Sequence, residues 1–381
     1  MNTNIESLLR NNRDNELGKV IGKIIEGKRI SEADGILLFE KGELGLLGSL
    51  ANLVRERKHG DKTYFNRNFH IEPTNICIYN CKFCSYVRKQ GQEDAWEYSL
   101  EQILEKVSAY KDKQVTEVHI VGGVHPKRDL HYYGNMIAQI KQIIPEIHVK
   151  AFTAVELEFM IKKAKVSIKE GLLMLKEYGL DSIPGGGAEI FDSEIRSKVC
   201  DEKSSAEMWL NIHREAHLAG IPSNATILYG HIEKYKHRIN HMFRLRELQD
   251  ETGMFNTYIP LKFRKENNKL THIGEVSTIE DLKNYAVSRL FLDNFDHIKA
   301  YWPMIGKQTT QLSLSFGVDD VDGTIDDSTK IYSMAGVEDK SPTMSINELT
   351  DLILEVNRIP IERGTLYNVI KDYSIPEPVN H

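Results

Sequence analysis

Cysteine is scarce in this chain of 381 residues, occurring four times. Four are too few, and too unevenly placed, for a disulfide framework. Three of them fall inside "CIYNCKFC", residues 77 to 84, and neighbouring thiols without a secretory leader read as metal ligands in a reducing compartment. No run reaches the roughly 18 apolar residues that a membrane span requires. The opening "MNTNIESLLRNNRDNELGKV" carries charge throughout and no apolar segment. Neither a secretory signal nor a membrane partner is therefore expected, and the expected location is cytoplasmic. A large excess of one charge is also missing: a net charge of −6 gives no electrostatic reason to expect nucleic acid. Interior linkers, low-complexity tracts and short-period repeats are absent too.

What remains is ordinary globular composition, 41% hydrophobic and 27% charged. Residues 1–65 read as a helical extension, with Ser31 three residues before an acidic position at the head of an apolar helical pattern. Over 66–340 short β-branched runs alternate with amphipathic stretches. Candidate strands are "NFHIEPTNI" (68–76), "TEVHIVGG" (116–123), "HVKAFTAVE" (148–156), "LDSIPGGG" (180–187), "SNATILYG" (223–230), "FNTYIPLKF" (255–263), "IKAYW" (298–302) and "QLSLSFG" (311–317). Repeated β-then-α units predict a parallel sheet, and about eight of them predict closure into a barrel. Residues 341–381 read as a further helix and a tail packing on that barrel. The expected class is α/β: a (β/α)8 TIM-type barrel with an N-terminal helical extension and a C-terminal helix.

Polar and glycine-rich residues gather where these strands end, which is the active face of such a barrel. After the first come Cys77, Cys81 and Cys84, whose thiolates suit zinc or an iron–sulfur cluster. Three sulfurs can hold three corners of a cubane and leave the fourth iron open. The alternative is zinc completed by His70, although zinc sites usually draw ligand pairs from two separated hairpins. Cys200, at the end of "EIRSKVC", reads as a small buried thiol.

The Cys-x3-Cys-x2-Cys spacing after a first strand, with Phe83 just before the last cysteine, resembles the radical S-adenosylmethionine superfamily. That resemblance implies a [4Fe-4S] cluster on Cys77, Cys81 and Cys84, with S-adenosylmethionine as the missing ligand of the fourth iron. Gly122 and Gly123 in "IVGGVHP" match the family's Gly-Gly segment, implied to contact the methionyl amino group through the backbone. Val124 stands where an acid is usual.

Glu156, read as the end of the third strand, could accept from ribose hydroxyls. The "PGGGAEIF" segment, with Glu189 and Arg196 following, could cradle the adenosyl group or the substrate; its spacing is not that of a dinucleotide fingerprint. Asn224 and Thr226 alternate with apolar residues on the fifth strand and should point into the barrel. His125 and His231, at strand ends, are candidate proton-transfer residues. The pairs His213/His217 and His237/His241 lack a third ligand and read as structural. "DDVDGTIDD" (319–327) lacks calcium-loop spacing and reads as a solvated loop.

"HIEPTNICIYNCKFCSY", "EVHIVGGVHP", "KAFTAVE", "PGGGAEIF", "SNATILYGHIE" and "LSFGVDDVDGTI" together are similar to the aminofutalosine synthase family, over nearly the whole chain. The resemblance implies a transferase of menaquinone biosynthesis in which the 5′-deoxyadenosyl radical adds to 3-[(1-carboxyvinyl)oxy]benzoate. The products would be 6-amino-6-deoxyfutalosine, bicarbonate and methionine. It also implies an electron donor such as flavodoxin or ferredoxin. A hydrogen-abstracting relative, the cyclic dehypoxanthinyl futalosine synthase, is the alternative; a non-catalytic iron–sulfur or zinc protein is the alternative of another class. A dicarboxylate substrate needs cations near the barrel mouth, for which Arg88, Lys262, Arg264 and Arg289 are candidates by position.

Overall fold

Capping residues start the chain's helices where the sequence places them. Ser31 accepts from the Asp34 amide while the Asp34 carboxylate accepts from the Ser31 amide, opening the helix Glu32–Lys41. With Asn15–Ile25 and Leu44–His59 it forms the helical lead-in. The computed structural model describes residues 14–325, 333–337 and 342–374. Most of the charged opening segment, the end of the "DDVDGTIDD" run and the last residues of the tail lie outside the described residues.

The barrel has eight parallel staves. The first is a bent pair, β1 (Lys62–Asn66) and β2 (Asn68–Ile71), separated by Arg67. β2 pairs with β3 (Glu117–Ile120), and β3 with β4 (His148–Ala151). Two bridges, Lys150 to Ser182 and Ile183 to Ser223, make a minimal fourth stave between β4 and β5 (Ser223–Tyr229). β5 pairs with β6 (Phe255–Lys262), and β6 with β7 (His297–Ile298). A bridge from Lys299 to Asp320 reaches β8 (Asp320–Gly323), which returns to β1 at Tyr64 and Asn66. Helices such as Leu100–Ser108 and Leu130–Ile143 cover the outside. Ile103, Val107, Met136, Ile137 and Ile140 are fully buried there, and each such side chain contributes on the order of 2 kcal/mol. Among the described residues no helix is long and apolar enough to cross a membrane.

Three sequence expectations are corrected. "QLSLSFG" is not a strand: its first residues end the helix Lys307–Ser313, where Thr310 and Ser313 turn their hydroxyls back on carbonyls of their own segment. The eighth stave is instead the acidic "DVDG", read as a solvated loop. Asp319, Asp320 and Asp322 are buried there because each meets a cation: Arg289, Arg363 and Lys299 respectively. The C-terminal region holds the expected helix, Ile346–Leu354, but a hairpin follows where a tail was expected. β9 (Ile359–Arg363) lies parallel to β1, and β10 (Val369–Asp372) lies antiparallel to β9.

Candidate active site

The loop after β2 is held largely by backbone hydrogen bonds. The Cys77 amide donates to Arg88 O (3.1 Å), that of Ile78 to Val124 O (3.0 Å) and that of Lys82 to Val199 O (2.9 Å). Lys89 Nζ gathers three loop carbonyls, those of Cys77 (2.8 Å), Ile78 (2.9 Å) and Tyr79 (3.1 Å). The loop's path therefore does not depend on its thiols. Cys77, Cys81 and Cys84 all border a cavity of about 300 Å³ at the carboxyl ends of the staves. Burial raises all three thiol pKa values, that of Cys81 to about 12. A metal that binds here must displace protons.

The donor set fits a cluster better than one zinc ion. Four thiolates around zinc stand about 3.8 Å apart, given a Zn–S bond of about 2.3 Å. Among the described residues, the three cysteine sulfurs do not all fall within 4.8 Å of one another. His70, the fourth ligand a zinc reading needs, lies inside the barrel against His119, with ring centroids 4.6 Å apart. Cys200 is buried with Val199, Phe263 and Leu270, as a structural thiol would be.

Gly122 borders the cavity and Gly123 packs behind it. A Cβ on Gly123 would stand 2.3 Å from Ile76 O, and one on Gly122 2.9 Å from Thr74 O. The glycine pair thus lets β3's exit lie directly on the chain leading to the cysteines. Its amides are both engaged, Gly123 N–H with Thr74 O (2.7 Å) and Gly122 N–H with Glu156 Oε1 (3.2 Å). Val124 lines the cavity as an apolar wall.

Glu156 is not at a strand end. β4 stops at Ala151, and Glu156 lies in the first turn of the helix Ala154–Ala164, paired reciprocally with its N-cap Thr153. Its carboxylate also accepts from the Thr153 hydroxyl (2.8 Å), and burial raises its pKa to about 7. Its carboxylate is spent on Thr153 and the Gly122 amide, so it positions Gly122 beside the first cavity, which its neighbours Thr153 and Val155 line.

Phe83 and Glu189 do border the cavity. Between them lies Lys203, which the sequence reading missed inside the polar run "DEKSS". Its ammonium pairs with Glu189 and sits 5.1 Å from the Phe83 ring centroid. Glu189, Cys81 and Cys200 together raise its pKa against the pull of burial. Arg196 faces away from the cavity. Its guanidinium braces the glycine-rich loop by donating to the carbonyls of Gly187 (3.1 Å), Ala188 (2.5 Å) and Ile190 (3.3 Å), and to Ser204 O (3.0 Å). Gly185, at φ +85°, lies so close to β5 that a Cβ would stand 2.1 Å from Asn224 O.

Asn224 and Thr226 point into the barrel as expected, bordering a second cavity of about 250 Å³. It shares Val121, Thr153, Leu261 and Met304 with the first, so the two adjoin at these side chains. Lys150, Lys299 and His119 border this inner cavity and were not anticipated. The available signal was a lysine inside each of two short apolar strands, "HVKA" and "HIKA".

The two proton-transfer candidates lie in the turns that follow β3 and β5. His125 Nδ1 accepts from the Lys127 amide (3.2 Å) and its Nε2 stands 3.3 Å from Glu97. His231 lies 3.1 Å from Leu228 O through Nε2 and 3.2 Å from Glu233 through Nδ1. Neither borders either cavity; each tightens the turn that follows its strand. His213 and His217 share the Ser223 hydroxyl (2.7 and 2.8 Å), and His241 reaches Thr226 O (2.8 Å). Of the four proposed carboxylate clamps, Arg88 pairs with Asp94 and Arg289 with Asp319, both outside the two cavities. Lys262 and Arg264 reach the first cavity, paired with Asp281 and Glu275.

Comparison with known proteins adds five findings. Residues 71–245 match the radical SAM superfamily, and residues 252–374 match the CofH/MqnC C-terminal region. The chain is 45% identical over 370 residues to aminodeoxyfutalosine synthase of Thermus thermophilus, covering 95% of this chain and 98% of that protein. It is 37% identical to a 5-amino-6-(D-ribitylamino)uracil–L-tyrosine 4-hydroxyphenyl transferase of Methanocaldococcus jannaschii, covering 90% and 98%. The crystal structure of methylornithine synthase superposes with a TM-score of 0.71 at 19% identity, covering 90% of this chain and 97% of that one. At that identity the likeness speaks to the fold.

Proposed function

The chain belongs to the radical SAM superfamily, in the branch with a CofH/MqnC C-terminal region, and we propose that it catalyses the aminodeoxyfutalosine synthase reaction. The observation that carries this reading is the adjacency of the cysteine-lined cavity and the one inside the barrel, with four side chains common to both. A cosubstrate held beside the cysteines would lie next to a second molecule inside the barrel.

Cys77, Cys81 and Cys84 would hold a [4Fe-4S] cluster, with S-adenosylmethionine lying over Gly122 and beside Phe83 and Glu189. Together these groups supply, when bound, a 5′-deoxyadenosyl radical that adds to the enolpyruvyl double bond of 3-[(1-carboxyvinyl)oxy]benzoate. The chain's own part is placement and exclusion of water. Glu156 fixes the Gly122 amide, Arg196 fixes the loop that carries Glu189, and Val121, Leu261 and Met304 make an apolar throat between the cavities. Lys203 keeps a positive charge beside Cys81, offsetting part of the charge that thiolate ligation brings. A one-electron donor such as flavodoxin or ferredoxin would serve the cluster, in the cytoplasm.

The test is an anaerobic incubation of reconstituted protein with dithionite, S-adenosylmethionine and 3-[(1-carboxyvinyl)oxy]benzoate, followed by mass analysis. A product joining the whole adenosyl group to the benzoate skeleton is expected. Free 5′-deoxyadenosine without that adduct would overturn the assignment in favour of a hydrogen-abstracting reaction.

A further inference from the structure

The floor of the inner cavity is charged. Lys150 Nζ lies 2.7 Å from Glu117 Oε1, and Lys299 Nζ lies 3.4 Å from Asp322 Oδ1. Both lysine side chains are almost wholly buried, at 5% and 3% exposure. Burying charge is expensive unless it is paired or used. Both acids are held by further groups: Glu117 accepts from the Thr365 hydroxyl (2.7 Å), and Asp322 from the Asn68 amide (3.2 Å). They hold the two lysines in place on the floor without consuming them. An ammonium has three donors, and Lys299 spends one on a long contact, so it has donors left for the cavity it borders. His119, on the same floor, has a buried Nε2 with no hydrogen-bond partner. These unmet polar groups suit an anion.

Depth gives the anion an orientation. The residues shared with the cysteine-lined cavity lie further along the chain, toward the barrel mouth, than the floor residues. Val121 follows His119, Thr153 follows Lys150, Leu261 follows Ile259 and Met304 follows Lys299. A rod-shaped molecule with a carboxylate at each end would therefore place one end on the lysines and the other near the throat. We infer that Lys299, with Lys150 beside it, anchors the ring carboxylate of the substrate and so turns the enolpyruvyl end toward the cysteine-lined cavity. This deepens the proposed function and rests on it. The floor then acts by position, favouring aromatic acids long enough to reach the throat.

The experiment is anaerobic calorimetry on the cluster-loaded protein. The probes are 3-[(1-carboxyvinyl)oxy]benzoate, its ring methyl ester and its enolpyruvyl methyl ester. The variants are Lys299→Met and the charge-balanced Lys299→Met/Asp322→Asn, which leaves no unpaired aspartate to unfold the barrel. Retained visible absorption of the cluster and retained S-adenosylmethionine binding certify the fold. In the wild type the ring ester should bind roughly ten- to hundred-fold more weakly than the diacid. In the double variant the diacid should fall to the ring ester's affinity, the ring ester should lose little more, and the enolpyruvyl ester should still discriminate. A double variant that binds the diacid as the wild type does, or loses both esters equally, overturns the lysine assignment while leaving the proposed function intact. A wild type that does not bind the diacid overturns the proposed function and this assignment with it.

Discussion

Glu156 Oε1 accepts the Gly122 amide proton across 3.2 Å, linking the first turn of one helix to the exit of the neighbouring stave. The bond sets the height of the glycine pair above the barrel, and it is made by a carboxyl whose burial raises its pKa to about 7.

That shift has a definite sign. A carboxyl with a folded pKa above its unfolded value binds more protons when folded, so stability falls as pH rises from about 4.5 toward 7. The window can move stability by a few kcal/mol. Glu156→Gln should flatten that part of the melting-temperature profile; an unchanged slope would assign the pH dependence to another group.

Removing one thiol should separate metal binding from folding. Cys81→Ala should abolish the cluster's visible absorption and cut iron content, yet change stability by less than ~1 kcal/mol, because backbone bonds and Lys89 hold the loop. Iron analysis alongside denaturant titration checks both halves.

Lys203→Met strands Glu189 in a buried site. Breaking a buried pair from one side costs about 3–5 kcal/mol, and the double change Lys203→Met/Glu189→Gln should recover much of it. Denaturation midpoints of the two variants decide this.

Arg196→Ala removes the brace on four carbonyls without touching the cavity. Amide exchange over 185–190 should accelerate strongly while amides in β5 stay protected. Uniform acceleration across the barrel would show a global loss of stability instead.

His125→Gln and His231→Gln should each keep turnover within about fivefold of the wild type, against the ~10²–10⁴-fold loss expected for a general acid or base. A larger loss in either would restore that histidine to the chemistry.

The sequence announced the cysteine loop because its information is local: three ligand-type residues within one turn of chain. The barrel was legible from its alternation, but its last stave was not, because burial of Asp319, Asp320 and Asp322 depends on cations supplied from elsewhere in the chain. A run of acids reads as solvated until Arg363 arrives from the far end. Glu156 was misplaced although its sign was present: a threonine three residues before a glutamate marks a helix start, and that mark was read as strand. His125 and His231 illustrate a different failure. A histidine after a strand looks poised for chemistry, whereas each of these two commits one ring nitrogen to the turn itself. Lys150 and Lys299 were hidden by size, since each is one charged residue inside a short apolar run.

The β9–β10 hairpin does more than extend a sheet. Arg363 and Tyr367 reach Asp320 from below (each 2.7 Å), Thr365 reaches Glu117 (2.7 Å), and Arg67 closes on Glu362 (2.8 Å). The stopper of this vessel is thus made from residues that follow all eight staves in chain order. The charged floor therefore gains its underside only after every strand of the barrel wall has been synthesised.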